Sequence, residues 1–219
     1  KSLSVASTAS LSTNGNMTVG AGDTGGSSIA GTWSGGGMLV KSGTQTLTVS
    51  GNASSYSGNI RVDQGSLTVG YTGVIDRPIE NNGVLTLQGV RTYASQISGT
   101  GSLVQYSSGG FAARTTLTAA NSYTGNTYIQ PGGTIVLGSG NALAQSAVVD
   151  MGVSTDYGYL DVNGQTSVLK AISGGGKIIN SITPSTPDLT IGGSAVDAVF
   201  SGSISGVRNV TKIGANQQT

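Results

Sequence analysis

The sequence repeats itself, and this repetition limits the possible folds more than any other feature. Two stretches, at about residues 36–70 and 97–138, share the same order of short apolar runs and glycine-rich turns. Tyr56 in the first stretch corresponds to Tyr123 in the second. A third copy begins near residue 200 and stops within its first strands, so residues 200–219 are expected to be a truncated unit.

Apolar residues alternate with polar ones inside these units, which is typical of short strands with one buried face. The apolar pairs predicted to point inward are Ile60 and Val62, Leu67 and Val69, Leu85 and Leu87, Ile135 and Leu137, and Leu160 and Val162. The polar residues predicted to point outward are Arg61, Ser66, Thr68, Thr86, Thr134 and Asp161. Glycine and asparagine lie between the strands, where turns require positive φ.

Composition favours strands over helices. Charged residues make up 9% of the chain, against about 25% in ordinary domains, and there are 37 glycines. Hydrophobic residues reach 36% but aromatic ones only 5%, which indicates a narrow core of Val, Leu and Ile. The predicted fold is therefore all-β, a right-handed parallel β-helix in which residues 1–219 form one segment of a longer protein.

An antiparallel β-sandwich is the alternative, because it also uses many short strands and glycine-rich turns. Two-residue Asn-Gly hairpins between matched strands are few in this sequence, and a sandwich core usually holds more aromatic side chains. Trp33 is the only tryptophan.

The repeated pattern, I-S-G-x-G-x-L, then T-L-T, N-x-Y-x-G-x-T and a glycine-led strand, resembles a known family. It is similar to the passenger-associated transport repeat, or autotransporter-associated β-strand repeat, of Gram-negative autotransporters. Residues 97–103, 116–118, 121–127 and 133–137 carry the pattern, with a looser copy over 37–69. Two departures stand out. Gln105 takes the place of Lys41 and Lys212 of the other copies, and Val207, Arg208 and Asn209 replace a glycine step.

The resemblance implies a passenger segment at the bacterial surface, anchored in the outer membrane or released from it. Attachment to the membrane is expected only through a β-barrel outside this chain. Outward Thr, Ser, Asn and Asp side chains should align into polar ladders, and many hydrogen bonds in register could hold a partner. The expected function is adhesion or self-association, such as aggregation or biofilm formation. The expected partners are a second copy, or a glycan or protein of a host or cell surface.

The alternatives are a polysaccharide-acting enzyme and a passive stalk that presents another domain. Asp150, Asp156 and Asp161 are the candidate acids for the enzyme, since glycoside hydrolysis requires two carboxyl groups across a sugar. Serine catalysis would need a lysine base, from Lys41, Lys170, Lys177 or Lys212, because the chain has no histidine. No serine and lysine with Ser-x-x-Lys spacing and an apolar pocket around them are apparent, so we predict no catalytic residue.

Other ligands are not expected either. No metal site and no cofactor are predicted, since histidine and cysteine are absent and the calcium-binding glycine-aspartate repeat is missing. The net charge is +1 and the basic residues are dispersed, which argues against nucleic acid. Gly35, Gly36 and Gly37 precede a strand, not the helix that a phosphate loop requires. Tyr56 and Tyr123 suggest either a glycan-stacking platform or, as we favour, turn packing with the hydroxyl at the surface. The residues that would bind a partner are unknown from sequence.

Overall fold

A computed structural model describes residues 2–22, 24–73, 75–107, 113–143, 145–152, 158–193 and 195–219. Across these ranges the regular structure is β-strand, and the paired strands run parallel to one another. This confirms the predicted all-β parallel β-helix. It rules out the antiparallel sandwich, whose neighbouring strands run in opposite directions.

Each turn of the solenoid passes through three faces, which we number in the order in which the chain reaches them. Face 1 is one nine-stranded sheet: β1 (Ser4–Val5), β4 (Ser27–Ile29), β7 (Thr46–Val49), β10 (Ser66–Val69), β12 (Val84–Gln88), β15 (Ser102–Tyr106), β17 (Thr127–Ile129), β19 (Val149–Asp150) and β22 (Ile172–Ser173).

Faces 2 and 3 each consist of two sheets in succession. Face 2 holds β2 (Ser10–Ser12), β5 (Thr32–Gly35) and β8 (Ser55–Tyr56), then β13 (Val90–Tyr93), β16 (Ala113–Leu117), β18 (Gly133–Leu137), β20 (Tyr159–Asp161), β23 (Lys177–Ile179) and β25 (Ser203–Ile204). Face 3 holds β3 (Met17–Val19), β6 (Leu39–Lys41), β9 (Ile60–Val62), β11 (Ile79–Asn81) and β14 (Ile97–Ser98), then β21 (Ser167–Leu169), β24 (Leu189–Gly192) and β26 (Val210–Ile213).

The core is a stack of aliphatic columns. On face 1 one buried column contains Leu47, Leu67, Leu85 and Leu103, which are register partners on successive strands. The five inward pairs expected from the alternation are all buried. Side chains from the three faces meet in one hydrophobic cluster, so each turn is stabilised by the turns above and below it.

The break in face 2 is bridged by Arg91, which lies in β13 at the start of the second sheet. Its guanidinium donates to the carbonyl oxygens of Gly70 (2.7 Å), Gly73 (3.1 Å) and Gln88. Burial without a neighbouring carboxylate lowers the pKa of Arg91 to about 10. The chain between β10 and β11 is thereby tied to the following turn.

The two repeats do not occupy the same faces. In the first, β6 lies on face 3 and β7 on face 1. The matching strands of the second, β15 and β16, lie on face 1 and face 2. The second repeat is therefore rotated by one face relative to the first, although its local sequence is similar.

Candidate binding surfaces

A ladder of outward hydroxyl side chains runs along face 1. Ser4, Ser28, Thr48, Thr68 and Thr86 are register partners on β1, β4, β7, β10 and β12. We call these five residues the hydroxyl ladder. Because neighbouring strands lie about 4.8 Å apart, the ladder presents hydroxyl groups at that spacing.

The threonines of the hydroxyl ladder are half-buried at the surface. Within the described part of the chain, the hydroxyls of Thr48, Thr68 and Thr86 make no hydrogen bond to the protein. This differs from Ser10 and Thr32 on face 2, whose hydroxyl oxygens lie 2.7 Å apart. The hydrogen-bonding capacity of the three threonines is thus directed to the surroundings of the solenoid.

The two candidate carboxylates that the structure describes, Asp150 and Asp161, do not form a pair. Asp150 ends β19 on face 1, whereas Asp161 ends β20 on face 2. Asp156 lies outside the described residues. The structure therefore does not bring Asp150 and Asp161 together on one surface, as hydrolysis by two carboxyl groups would require.

Asp161 is buried, contrary to the expectation that it points into solvent. Its Oδ2 accepts from Arg114 Nη2 at 3.0 Å, and its Oδ1 accepts from the backbone N–H groups of Asn163 (2.9 Å) and Ser181 (3.0 Å). The Asp161 side chain is 0% exposed and that of Arg114 is 44% exposed. Arg114 comes from β16, two strands away, and reaches Asp161 past Val136 on the intervening β18.

The pKa of Asp161 results from opposing effects. Burial raises it, but the hydrogen bonds from Ser181, Arg114 and Asn163 together outweigh burial and place the pKa below its ordinary value. The carboxylate is consequently ionised and fully engaged. These contacts serve structure, not acid–base chemistry.

All four candidate lysines contact other groups of the protein. Lys41 Nζ donates to the carbonyl oxygens of Ser42, Gly43 and Gln64, and Lys212 Nζ to those of Ile213 and Gly214. Lys170 Nζ donates to Gln145 O at 3.2 Å, and Lys177 Nζ lies 5.9 Å from the centre of the Tyr159 ring.

Tyr56, in β8, and Tyr123, between β16 and β17, pack into the hydrophobic core, and the expectation that their hydroxyls reach the surface is wrong. Both side chains are buried. The Tyr56 hydroxyl accepts from Leu39 N (3.0 Å) and donates to Gly37 O (2.6 Å), while its ring stacks on Trp33 with 3.9 Å between ring centres. The Tyr123 hydroxyl lies 2.6 Å from Thr127 Oγ1, and burial raises the pKa of Tyr123. Neither tyrosine can act as a glycan platform.

The glycine tripeptide has a structural explanation. Gly35 has φ of 104°, a conformation that side chains with Cβ rarely adopt. A Cβ on Gly37 would lie 2.0 Å from Gly15 O of the preceding turn. These glycines let successive turns approach closely.

One arrangement was not singled out from the sequence. Tyr128, on β17, is the register partner of Asp150 on β19. Tyr128 and Asp150 are 22 residues apart, whereas Val104 and its register partner Tyr128 are 24 apart, so residue spacing gave no signal of the pairing. Only the register between successive turns would have indicated that Tyr128 and Asp150 are neighbours.

The described residues contain no group of three or more Asp or Glu side chains arranged to hold a metal ion. They also contain no helix with the length and apolar character needed to cross a membrane.

Comparisons with known proteins agree with this architecture. Residues 39–69 and 112–137 match the passenger-associated-transport-repeat family. The chain is similar to the adhesin BmaC autotransporter of Brucella suis biovar 1 (strain 1330), with 30% identity over 78% of the chain. The matched region spans about 5% of the length of that relative. No solved structure matches the chain. The two sequence matches identify this solenoid as a carrier of the passenger-associated transport repeat that is related to an autotransporter adhesin.

Proposed function

We propose that this segment is a non-catalytic adhesive surface of an autotransporter passenger, displayed outside the cell, and that it associates with a second copy of itself. The observation that carries the proposal is the hydroxyl ladder of face 1. Its threonine hydroxyls are at the surface and, in the described ranges, are not used within the protein.

Repetition makes such a surface effective. One neutral hydrogen bond contributes only about 1 kcal/mol. A rigid rod presents several hydrogen-bonding groups at a fixed spacing. Once two rods are aligned by the first hydrogen bond, the later ones form without a further loss of translational freedom. Two copies present the same spacing and can therefore align in register.

The relative supports the adhesive part of the proposal, because its name describes an adhesin. The repeat family supports the location, since passenger repeats belong to proteins exported by autotransport. Neither comparison specifies the partner, which the proposal takes to be a second copy.

Sedimentation of the purified chain over a wide concentration range tests the proposal. We expect the weight-average mass to rise with concentration. The triple variant Thr48→Lys, Thr68→Lys, Thr86→Lys should remain monomeric, because it places like charges on both ladders at an interface between copies.

The matched control is Thr92→Lys, Thr116→Lys, Thr134→Lys, which adds the same charge to outward threonines of face 2. This variant should associate as the wild type does. A wild-type chain that stays monomeric throughout, or a control that loses association equally, would refute self-association through face 1.

A further inference from the structure

A cavity of about 190 Å³ opens beside face 1, lined by Tyr128, Ile129, Gln130, Asp150 and Gly152. It lies where the chain leaves β17 and β19 toward face 2. Its volume is below the roughly 300–1,000 Å³ of pockets that take drug-sized ligands. The cavity therefore suits a single small ring.

The aromatic wall of the cavity is held in place. Tyr128 is half-buried, and its hydroxyl accepts from Asn126 Nδ2 at 3.1 Å. A tyrosine in this setting offers an apolar ring to a ligand while its polar end is already bonded.

The polar lining has unused hydrogen-bonding capacity. Asp150 Oδ1 accepts from Gly152 N at 2.8 Å. Among the described residues, Asp150 Oδ2 and the Gln130 side-chain amide have no hydrogen-bond partner. The cavity that is lined by Tyr128 is therefore also bordered by two polar groups. The Asp150 carboxylate can accept a hydrogen bond, and the Gln130 amide can both donate and accept one.

The charge of the lining argues against calcium and against anions. Asp150 is the one carboxylate among the described lining residues, and it supplies too few oxygens for calcium, which takes six to eight. The same carboxylate repels anions. A neutral molecule with one apolar face and several hydroxyl groups is complementary to the Tyr128 ring, the Asp150 carboxylate and the Gln130 amide.

We infer that this cavity binds one neutral pyranose ring, with Tyr128 against its C–H face and Asp150 and Gln130 on its hydroxyls. This goes beyond the adhesive ladder, because it concerns Tyr128 and Asp150, which lie further along face 1 than the ladder residues, and a small-molecule ligand. The ladder acts between two rods, whereas the cavity acts on a single sugar.

Saturation-transfer NMR of the full chain tests the inference. The probes are methyl α-D-glucopyranoside, methyl α-D-mannopyranoside and methyl β-D-galactopyranoside, with sorbitol as an acyclic polyol. We expect transfer to the ring protons of at least one pyranoside and none to sorbitol. Tyr128→Ala should weaken binding at least tenfold, and Asp150→Asn several-fold.

Tyr128→Phe is the matched control, since it keeps the ring and removes only the hydroxyl bonded to Asn126. It should retain binding. The far-UV circular dichroism spectrum of Tyr128→Ala should match that of the wild type, so that its loss of binding does not reflect unfolding. Equal transfer to sorbitol, no transfer to any pyranoside, or unchanged binding by Tyr128→Ala would overturn the inference. The triple lysine variant of the hydroxyl ladder should still bind the sugar, so this site and self-association can fail separately.

Discussion

Lys41 and Lys212 make the same contact in the first and last repeats. Each ammonium donates to the carbonyl oxygens of the next two residues in the chain, at 2.7 and 2.8 Å for Lys41 and at 2.6 and 3.2 Å for Lys212. Both lysines lie on face 3, Lys41 as the last residue of β6 and Lys212 as the second-last residue of β26. They differ in burial, since Lys41 is 1% exposed whereas Lys212 lies at the surface.

Lys41→Met should destabilise the chain by about 1–3 kcal/mol, because three part-buried carbonyl oxygens lose the hydrogen bonds of a buried ammonium. Lys212→Met should change stability by no more than about 0.5 kcal/mol, because water can replace the exposed ammonium. Urea unfolding followed by far-UV circular dichroism measures both. Equal effects of the two variants would contradict this account.

Gln105 occupies the equivalent sequence position in the second repeat but has no such contact. It is buried in a face 1 column between Leu87 and Ile129, and both of its side-chain polar atoms are without partners among the described residues. Gln105→Leu should therefore stabilise the chain by about 1–3 kcal/mol in urea unfolding.

The control for this variant is Gln88→Leu, at a half-buried position at the outer end of β12. It should alter the free energy of unfolding by no more than about 0.5 kcal/mol. A loss of stability in Gln105→Leu would mean that the buried amide has a favourable role.

Asp161 should make stability depend on pH. Its folded pKa lies below the ordinary value, about 3.9 in an unfolded chain, so the folded state favours the ionised carboxylate. This contribution is complete above the unfolded pKa and is lost as pH falls through the folded pKa. Wild type should exceed Asp161→Asn in stability most at neutral pH, and the difference should shrink on acidification. Chemical unfolding at a series of pH values measures it, and a difference that is constant with pH would argue against the assignment.

Gly37→Ala should destabilise the chain by about 1–3 kcal/mol, because its Cβ would overlap Gly15 O of the turn below. Gly36→Ala is the control in the same tripeptide. A Cβ on Gly36 has its nearest contact at 3.4 Å, to Ser57 Oγ, so this variant should be neutral or slightly stabilising. Trp33, in the adjacent strand, reports unfolding of this region by fluorescence. Similar melting of the two variants would show that the close approach is unimportant.

Local alternation was sufficient to predict which residues of the short strands are buried, and the repeat then favoured a parallel β-helix over a sandwich. Ile60 and Val62 are buried with Arg61 between them at the surface, as a period of two requires. The hydrogen bonds of the buried Tyr56 hydroxyl and the burial of Asp161 could not be predicted in this way. Each depends on a group from another turn, Gly37 in one case and Arg114 in the other.

The candidate sites show the same limit. The outward position of Thr68 and Thr86 follows from each strand alone, but their alignment into a ladder depends on register. The pairing of Tyr128 with Asp150 also depends on the register between successive turns. Turns of unequal length prevent residue spacing from fixing that register.

The rotation of the second repeat by one face affects how such a protein can change during evolution. Copying a repeat preserves its turn glycines and its buried aliphatic residues, which work on any side of the solenoid. The side to which the copied polar residues are presented is set instead by the number of strands inserted before them. Duplication can thus lengthen the solenoid while placing copies of one sequence motif on different faces. The number of copies alone therefore does not determine which side chains a given face presents.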